Sequence, residues 1–314
     1  MNENEIQAYL NEAAKEAEKL PIHDRDEQLK RIEGLKSYRG EDRIVSSLEI
    51  ASSLESEPEQ HKVMSGWTSF DKYTEGFTYE QLVVVSAAEK SGKTTWALQL
   101  INNMKEEEPC CFLFEQSPRE LIRQMKDRQQ EIPYFLTPLA NIDNKFQWFE
   151  KRAMEAMVKN GSRVFLIDNM DWLEKEYPKQ NTRTDEAVKD LLLKLKAFCV
   201  RWGVIVILIA HIRKVRMQDI PQPDDIKDTG AFKQIADTVI ILWRNVKEED
   251  VGGGKKKTKA LIRTSETLVW VAENRRTGKT GYAQMIFDGK QFREKAWDFN
   301  LETAQEFNDY GNNF

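Results

Sequence analysis

Two periodicities divide the chain. Up to about residue 60 the apolar positions are sparse, with Ile6, Leu10, Ala13, Ala17 and Leu20 spaced 4-3-4-3 along an otherwise charged helix. Ile44, Leu48 and Ala51 share one face of a second helical stretch. Both stripes are too thin to enclose a core, so these helices are expected to dock on another surface, such as a neighbouring subunit. From about residue 63 the pattern changes to short apolar runs alternating with helical segments: Leu82–Ser86, Cys111–Phe114, Val164–Ile167, Val204–Ala210, Thr238–Leu242 and Thr267–Ala272. Most are β-branched and nearly continuous, as strands covered on both faces are. Their alternation with helices predicts right-handed crossovers and an α/β fold, a mainly parallel twisted sheet flanked by helices. Short strands and turns between Thr267 and Phe292 predict antiparallel strands closing that sheet. Lys255–Lys257, after Gly252–Gly254, reads as an exposed hairpin tip or loop. The expected division is a helical extension over 1–60, an α/β domain over 61–297 and an acidic tail over 298–314.

Composition narrows the picture little. Of 314 residues 40% are hydrophobic, enough for one large core and a modest extension. The net charge of −5 exerts no global pull on nucleic acid, so any such contact must come from local basic patches. Cys110, Cys111 and Cys199 form no C-x-x-C pair and leave an odd count, which fits a reducing compartment without structural zinc. No apolar run approaches the ~20 residues that span a bilayer, and the acidic start is unlike a signal or transit peptide. A soluble, cytoplasmic protein is expected.

The chemistry enters at VVVSAAEKSGKTTWALQL, a strand–loop–helix segment in which Ala87 is followed after four residues by Gly92, Lys93 and Thr94. This is the Walker A spacing with alanine in place of the first glycine. Backbone N–H groups over Ala88, Glu89, Lys90, Ser91 and Gly92, with the helix N-terminus at Lys93–Thr95, would cradle the phosphates of ATP. Lys93 would reach the β- and γ-phosphates and Thr94 would ligate Mg²⁺. Asp168, ending the apolar strand of RVFLIDNMD, occupies the Walker B position and would hold Mg²⁺ through water. AAA+ ATPases carry their water-positioning base directly after that aspartate, where this chain has Asn169. RecA-like motors carry it at the end of the strand following the P-loop helix, where this chain has Glu115.

With these motifs, about 230 residues resemble the DnaB and Twinkle type of replicative DNA helicase, including phage relatives. SGWTSFDKYTEGF resembles the family's lead-in segment, and Ala87 is shared with DnaB sequences. FEQSPREL resembles the segment carrying the catalytic glutamate. VILIAHIRK resembles the motif whose strand-end residue senses the γ-phosphate, implying that role for His211. The match is most specific in DIKDTGAFKQIADTVIILWRN, the family's DNA-loop segment and the strand after it. The resemblance implies that the loop from Ile212 to Asp228 holds the backbone of single-stranded DNA through Arg213, Lys214, Arg216 and Lys227. It also implies that Arg275, in VAENRRTGKTG, is a finger reaching a neighbouring subunit's ATP. Relatives usually carry a lysine two residues earlier where this chain has Glu273, leaving Arg276 or Lys279 as substitutes. Arg244 and Phe287 align with positions that sandwich the nucleotide base in phage relatives.

The implied function is an ATP- and Mg²⁺-dependent motor that translocates on single-stranded DNA, 5′ to 3′, as a ring homo-oligomer, a hexamer in the family. There is no primase, zinc-binding or globular collar segment in these residues, and the extension could supply only the helical linker that packs on the next protomer. The acidic tail, ending in Phe314, resembles segments by which phage replication proteins dock a primase, polymerase or other replisome partner. Two further readings stand beside the helicase: a RadA-like recombinase that remodels DNA without classical unwinding, and a non-motor ATP-dependent replisome adaptor.

Overall fold

The run Leu82–Ala87 forms a strand (β3) with all six residues buried, because helices cover both of its faces. Val83, Val85 and Ala87 point to one side, where Trp96, Leu100 and Ile101 of the following helix α4 (Lys93–Asn103) pack. Leu82 and Val84 point to the other, into a layer built by α6 (Lys145–Asn160), α8 (Thr184–Trp202) and α9 (Thr229–Ile235) with Phe149, Leu195 and Phe232. Period-two alternation thus feeds two cores from a strand that reads as one continuous apolar run.

The computed structural model describes residues 3–19, 25, 29–30, 32–33, 46–56, 61–131, 133–138, 142, 144–174, 184–212, 215–226, 229–251 and 258–295. The chain divides into two units, Met1–Glu59 and Gln60–Phe314. In the first, α1 (Glu3–Ala17) buries Ala17 with Ile32 in a cluster joined by Ala13, Ala14 and Leu29. In α2 (Ser47–Ser56) Leu48, on the thin apolar stripe, is 78% exposed. Leu20 and Ile44 lie outside the described residues, as does the tail over 298–314. Among the described residues no helix is long and apolar enough to cross a membrane.

The second unit holds a nine-stranded sheet in the order β11-β10-β9-β8-β3-β7-β6-β4-β5. Its parallel part comprises β3, β4 (Cys110–Leu113), β5 (Tyr134–Leu136), β6 (Val164–Asp168), β7 (Ile205–His211) and β8 (Thr238–Val251). β9 (Thr258–Asn274), β10 (Gly281–Phe287) and β11 (Phe292–Glu294) close one edge antiparallel, as expected from the sequence. A small two-stranded sheet, β1 (Lys62–Val63) with β2 (Phe77–Thr78), flanks α3 (Thr68–Thr74). Trp67 at the cap of α3 stacks on Trp96 of α4, with ring centroids 5.4 Å apart, fastening the lead-in segment to the phosphate-loop helix.

β8 and β9 run far beyond their apolar stretches. They stay paired out to Val251 and Thr258, with irregularities after Val239 and Arg244. The outer arm carries exposed charges, among them Lys259 bonded to Glu248 at 3.0 Å. With no core to face, this arm has no hydrophobic alternation by which a sequence would reveal it. Residues 252–257, read as its tip, lie outside the described residues.

Candidate active site

β3 ends at Ala87, and the chain then turns through Lys90 (φ 60°) and Gly92 (φ 88°), both left-handed, into α4. Gly92 is the cap of that helix, and a side chain there would be strained by its backbone angle. The first N–H groups of α4 are left for an anion. Thr94 Oγ1 donates to Asp168 Oδ2 at 2.7 Å, across the intervening strand β7. Asp168 is 3% exposed, and its other oxygen, Oδ1, is buried without a hydrogen-bond partner. Burial pushes the Asp168 carboxyl up from its ordinary value and the Glu115 charge adds to this, while the Thr94 hydroxyl and Lys93 pull it down. Burial likewise draws Lys93 below its usual range against the opposing pull of Asp168 and Glu115.

A hydroxyl beside a carboxylate with one unused buried oxygen suits a hard divalent cation. No group of three or more His, Cys, Asp or Glu forms a metal cage among the described residues. Phosphate oxygens and water would therefore complete the shell, the arrangement Mg²⁺ favours.

Glu115 lies two residues past β4, and His211 ends β7 on the far side of β6. Asn169, 2% exposed, follows Asp168 and sits between them. Its Nδ2 donates to Glu115 Oε1 and lies 2.8 Å from His211 Nε2. His211 Nε2 and Glu115 Oε1 are 3.8 Å apart. The sequence marks Asn169 only by what it is not; its contact with both groups depends on three strands meeting at one edge.

Beside the phosphate loop opens a cleft of about 220 Å³, lined on one side by Lys90, Ser91, Gly92 and Thr95 and on the other by Arg244, Thr267, Phe287 and Phe292. Arg244 and Phe287 thus border one cavity. Arg244 Nε is held by the Thr264 carbonyl at 2.5 Å, and Phe287 packs on Phe292 with centroids 4.9 Å apart. Two arginines here carry no sequence signal. Arg263 of β9 donates to the Glu89 carbonyl of the phosphate loop at 2.7 Å. Arg128, capping α5 (Pro118–Asp127), lines the cleft and donates to Thr95 Oγ1 at 3.3 Å.

The segment after His211 returns at Ile226, which bridges antiparallel to Ile212. This closes the base of the loop beside His211. Arg216 is exposed on it; Arg213, Lys214 and Lys227 lie outside the described residues.

Arg275 is exposed on the turn after β9, its guanidinium donating to the Lys233 carbonyl at 2.8 Å. Asn274 pairs with Thr238, which pairs with Val83, whereas the phosphate loop follows Ala87, paired with Leu242. The turn therefore sits at the opposite end of the sheet, at least ~13 Å of strand away from its own phosphate loop. Neither expected substitute is free in this subunit. Arg276 donates to the carbonyls of Thr74 (2.5 Å) and Gly76 (2.9 Å), and Lys279 pairs with Glu75 at 2.6 Å.

Residues 62–148 and 122–295 match the model of the DnaB-like helicase C-terminal domain. Replicative DNA helicase DnaB of Haemophilus influenzae is 21% identical over 299 residues, which cover 84% of this chain and 61% of that protein. DnaB of Geobacillus stearothermophilus is 23% identical over 257 residues, covering 72% and 54%. The chain thus spans a little over half the length of these relatives. Among solved structures, the ATPase domain of G40P superposes with a TM-score of 0.61 at 19% identity, covering 79% of this chain and 97% of that one. A DnaB-like replicative helicase described with its primase interactions gives 0.62 at 18%, covering 93% and 77%. These likenesses establish a RecA-like helicase ATPase fold.

Proposed function

Because the chain belongs to the DnaB-like helicase C-terminal domain family, we propose that it is an ATP-driven motor that moves along single-stranded DNA and unwinds duplex. The observation that carries this reading is the position of His211. Its ring reaches the Asn169–Glu115 pair, and the next residue opens the loop whose base the Ile212–Ile226 bridge closes. A change at the phosphates therefore has a short covalent route to a loop bearing Arg216 and, in sequence, Arg213, Lys214 and Lys227.

Thr94 and Asp168 would hold Mg²⁺, which neutralises the phosphate charge when bound. Lys93 binds the β- and γ-phosphates, the α4 N-terminus binds phosphate oxygens, and Arg244 and Phe287 flank the base. Glu115 accepts a hydrogen bond from the attacking water and orients it. Arg275, facing away from its own phosphate loop, serves the site of an adjacent protomer and stabilises charge in the transition state. That division of labour requires head-to-tail contact between protomers, which a ring supplies, a hexamer on the family pattern, with 5′-to-3′ movement. A primase is the partner this reading favours, given that a structural relative is described with one. The cellular setting is a bacterial or phage-infected cytoplasm.

Two assays test the proposal together: ATP hydrolysis with and without single-stranded DNA, and strand displacement with and without ATP. Stimulated hydrolysis with ATP-dependent displacement is expected. Stimulated hydrolysis without displacement leaves a DNA-dependent ATPase that is not a helicase, and the motor reading falls.

A further inference from the structure

Arg128 is an arginine in search of an anion. It lines the cleft beside the phosphate loop, and its Nη2 is anchored by Thr95 Oγ1 at 3.3 Å. Its Nη1 is buried and has no hydrogen-bond partner. Among the described residues no carboxylate forms an ion pair with it. Arg128 is half-buried, and a buried donor left without an acceptor is costly unless a ligand supplies one. Burial draws Arg128 below the usual arginine range, against the opposing pull of Asp127.

The position specifies the ligand atom. Lys93 and Thr94 face the side of the loop where Asp168 and Glu115 lie, the side of the outer phosphates. Arg244 and Phe287 border the side where a base would sit. Thr95, one residue beyond Thr94 in the first turn of α4, stands between the two, and Arg128 is hydrogen-bonded to it. Thr267 lines the same cleft, and its hydroxyl is buried without a partner.

We propose that Arg128, which lines the cleft beside Thr95, binds the α-phosphate of the nucleotide. The inference rests on the nucleotide-site reading above and adds a contact to it. Lacking a role at the γ-phosphate, Arg128 supports ATP and ADP binding equally and leaves the chemical step to Glu115 and Arg275.

The test uses the full chain, with displacement of a fluorescent ADP analogue by ADP, AMP and adenosine. Arg128→Ala is expected to weaken ADP by about 10- to 100-fold, the range for a lost charge-assisted hydrogen bond. The preference of the wild type for AMP over adenosine should disappear in the variant, and Arg128→Lys should restore part of it. The melting temperature without nucleotide should fall by only a few degrees, the scale of the one hydrogen bond lost to Thr95 Oγ1. Arg128→Gln serves if the alanine variant does not fold, with the same loss of AMP preference expected. Lys93→Ala is the control. If it weakens ADP while the Arg128 variants bind ADP within twofold of wild type, the Arg128 proposal is overturned and the site stands. If Lys93→Ala also leaves ADP binding unchanged, the nucleotide site itself is misassigned.

Discussion

The side-chain amide of Asn169 lies 2.8 Å from the His211 imidazole while donating to the Glu115 carboxylate, so one buried residue touches both the expected base and the expected sensor. Replacing it with alanine leaves the phosphate loop intact but disconnects those two groups. Nucleotide affinity should stay within about twofold, while the stimulation of ATP hydrolysis by single-stranded DNA falls by about tenfold, the scale of one lost hydrogen bond to a charged group. Hydrolysis rates with and without an oligonucleotide measure this. An unchanged stimulation ratio would show that the contact transmits nothing.

Glu115 is 58% exposed, which leaves it open to a water molecule as well as to Asn169. Glu115→Gln keeps an acceptor for the Asn169 amide but removes the charge that orients and deprotonates water. Turnover should drop by ~10²-fold or more with nucleotide and DNA binding preserved. Near-normal hydrolysis in this variant would mean that the base lies elsewhere.

Arg275 cannot serve its own phosphate loop from the far end of the sheet. Arg275→Ala should therefore lower turnover by ~10³-fold while leaving nucleotide affinity almost unchanged. Mixing gives the sharper measurement. Arg275→Ala subunits keep a complete Walker site and Lys93→Ala subunits keep a finger, so a mixture of two inactive variants should regain activity at hybrid interfaces. Persistent inactivity in mixed oligomers of verified composition rules out the shared site.

The adjacent arginine has a different job. Arg276 donates to two backbone carbonyls at the end of α3, Thr74 and Gly76, and is half-buried. Arg276→Ala should cost about 1–3 kcal/mol of stability in denaturant unfolding. Arg275→Ala, exposed and losing one bond to the Lys233 carbonyl, should cost less than about 1 kcal/mol. Equal destabilisation by the two would contradict this division.

Asp168 provides a pH signature. Its folded-state carboxyl is raised, chiefly by burial, above the ordinary value of 3.8. Folding therefore disfavours the ionised form relative to the unfolded chain. Ionisation of Asp168 costs stability above the raised value, and the cost vanishes below 3.8, where the group is protonated folded and unfolded alike. Asp168→Asn should accordingly melt higher than wild type at neutral pH, with the gap closing as the pH falls through that interval. Adding Mg²⁺ and ATP analogue should stabilise the wild type and have far less effect on the variant. Melting curves at acid and neutral pH, with and without ligand, test both statements.

Much of this protein is written along the chain in features that act locally. The buried strands announce themselves as continuous apolar runs because each is covered on both faces. The turn before α4 is legible because a left-handed residue at Gly92 and a hydroxyl at Thr94 are needed at fixed spacing. Glu115, Asp168 and His211 are legible because parallel strands present their ends at one edge, so a polar residue closing an apolar run is conspicuous. Other features depend on strand order and register, which no local pattern encodes. Asn169 links Glu115 to His211 only because β6 lies between β4 and β7. Arg128 is one of several charged residues around α5 until folding sets it against Thr95. Arg275 faces away from its own phosphate loop because β9 runs antiparallel to β8, carrying the turn to the opposite end of the sheet. Local spacing records what a residue does to its own backbone; the meeting of distant side chains is decided by the packing of the sheet.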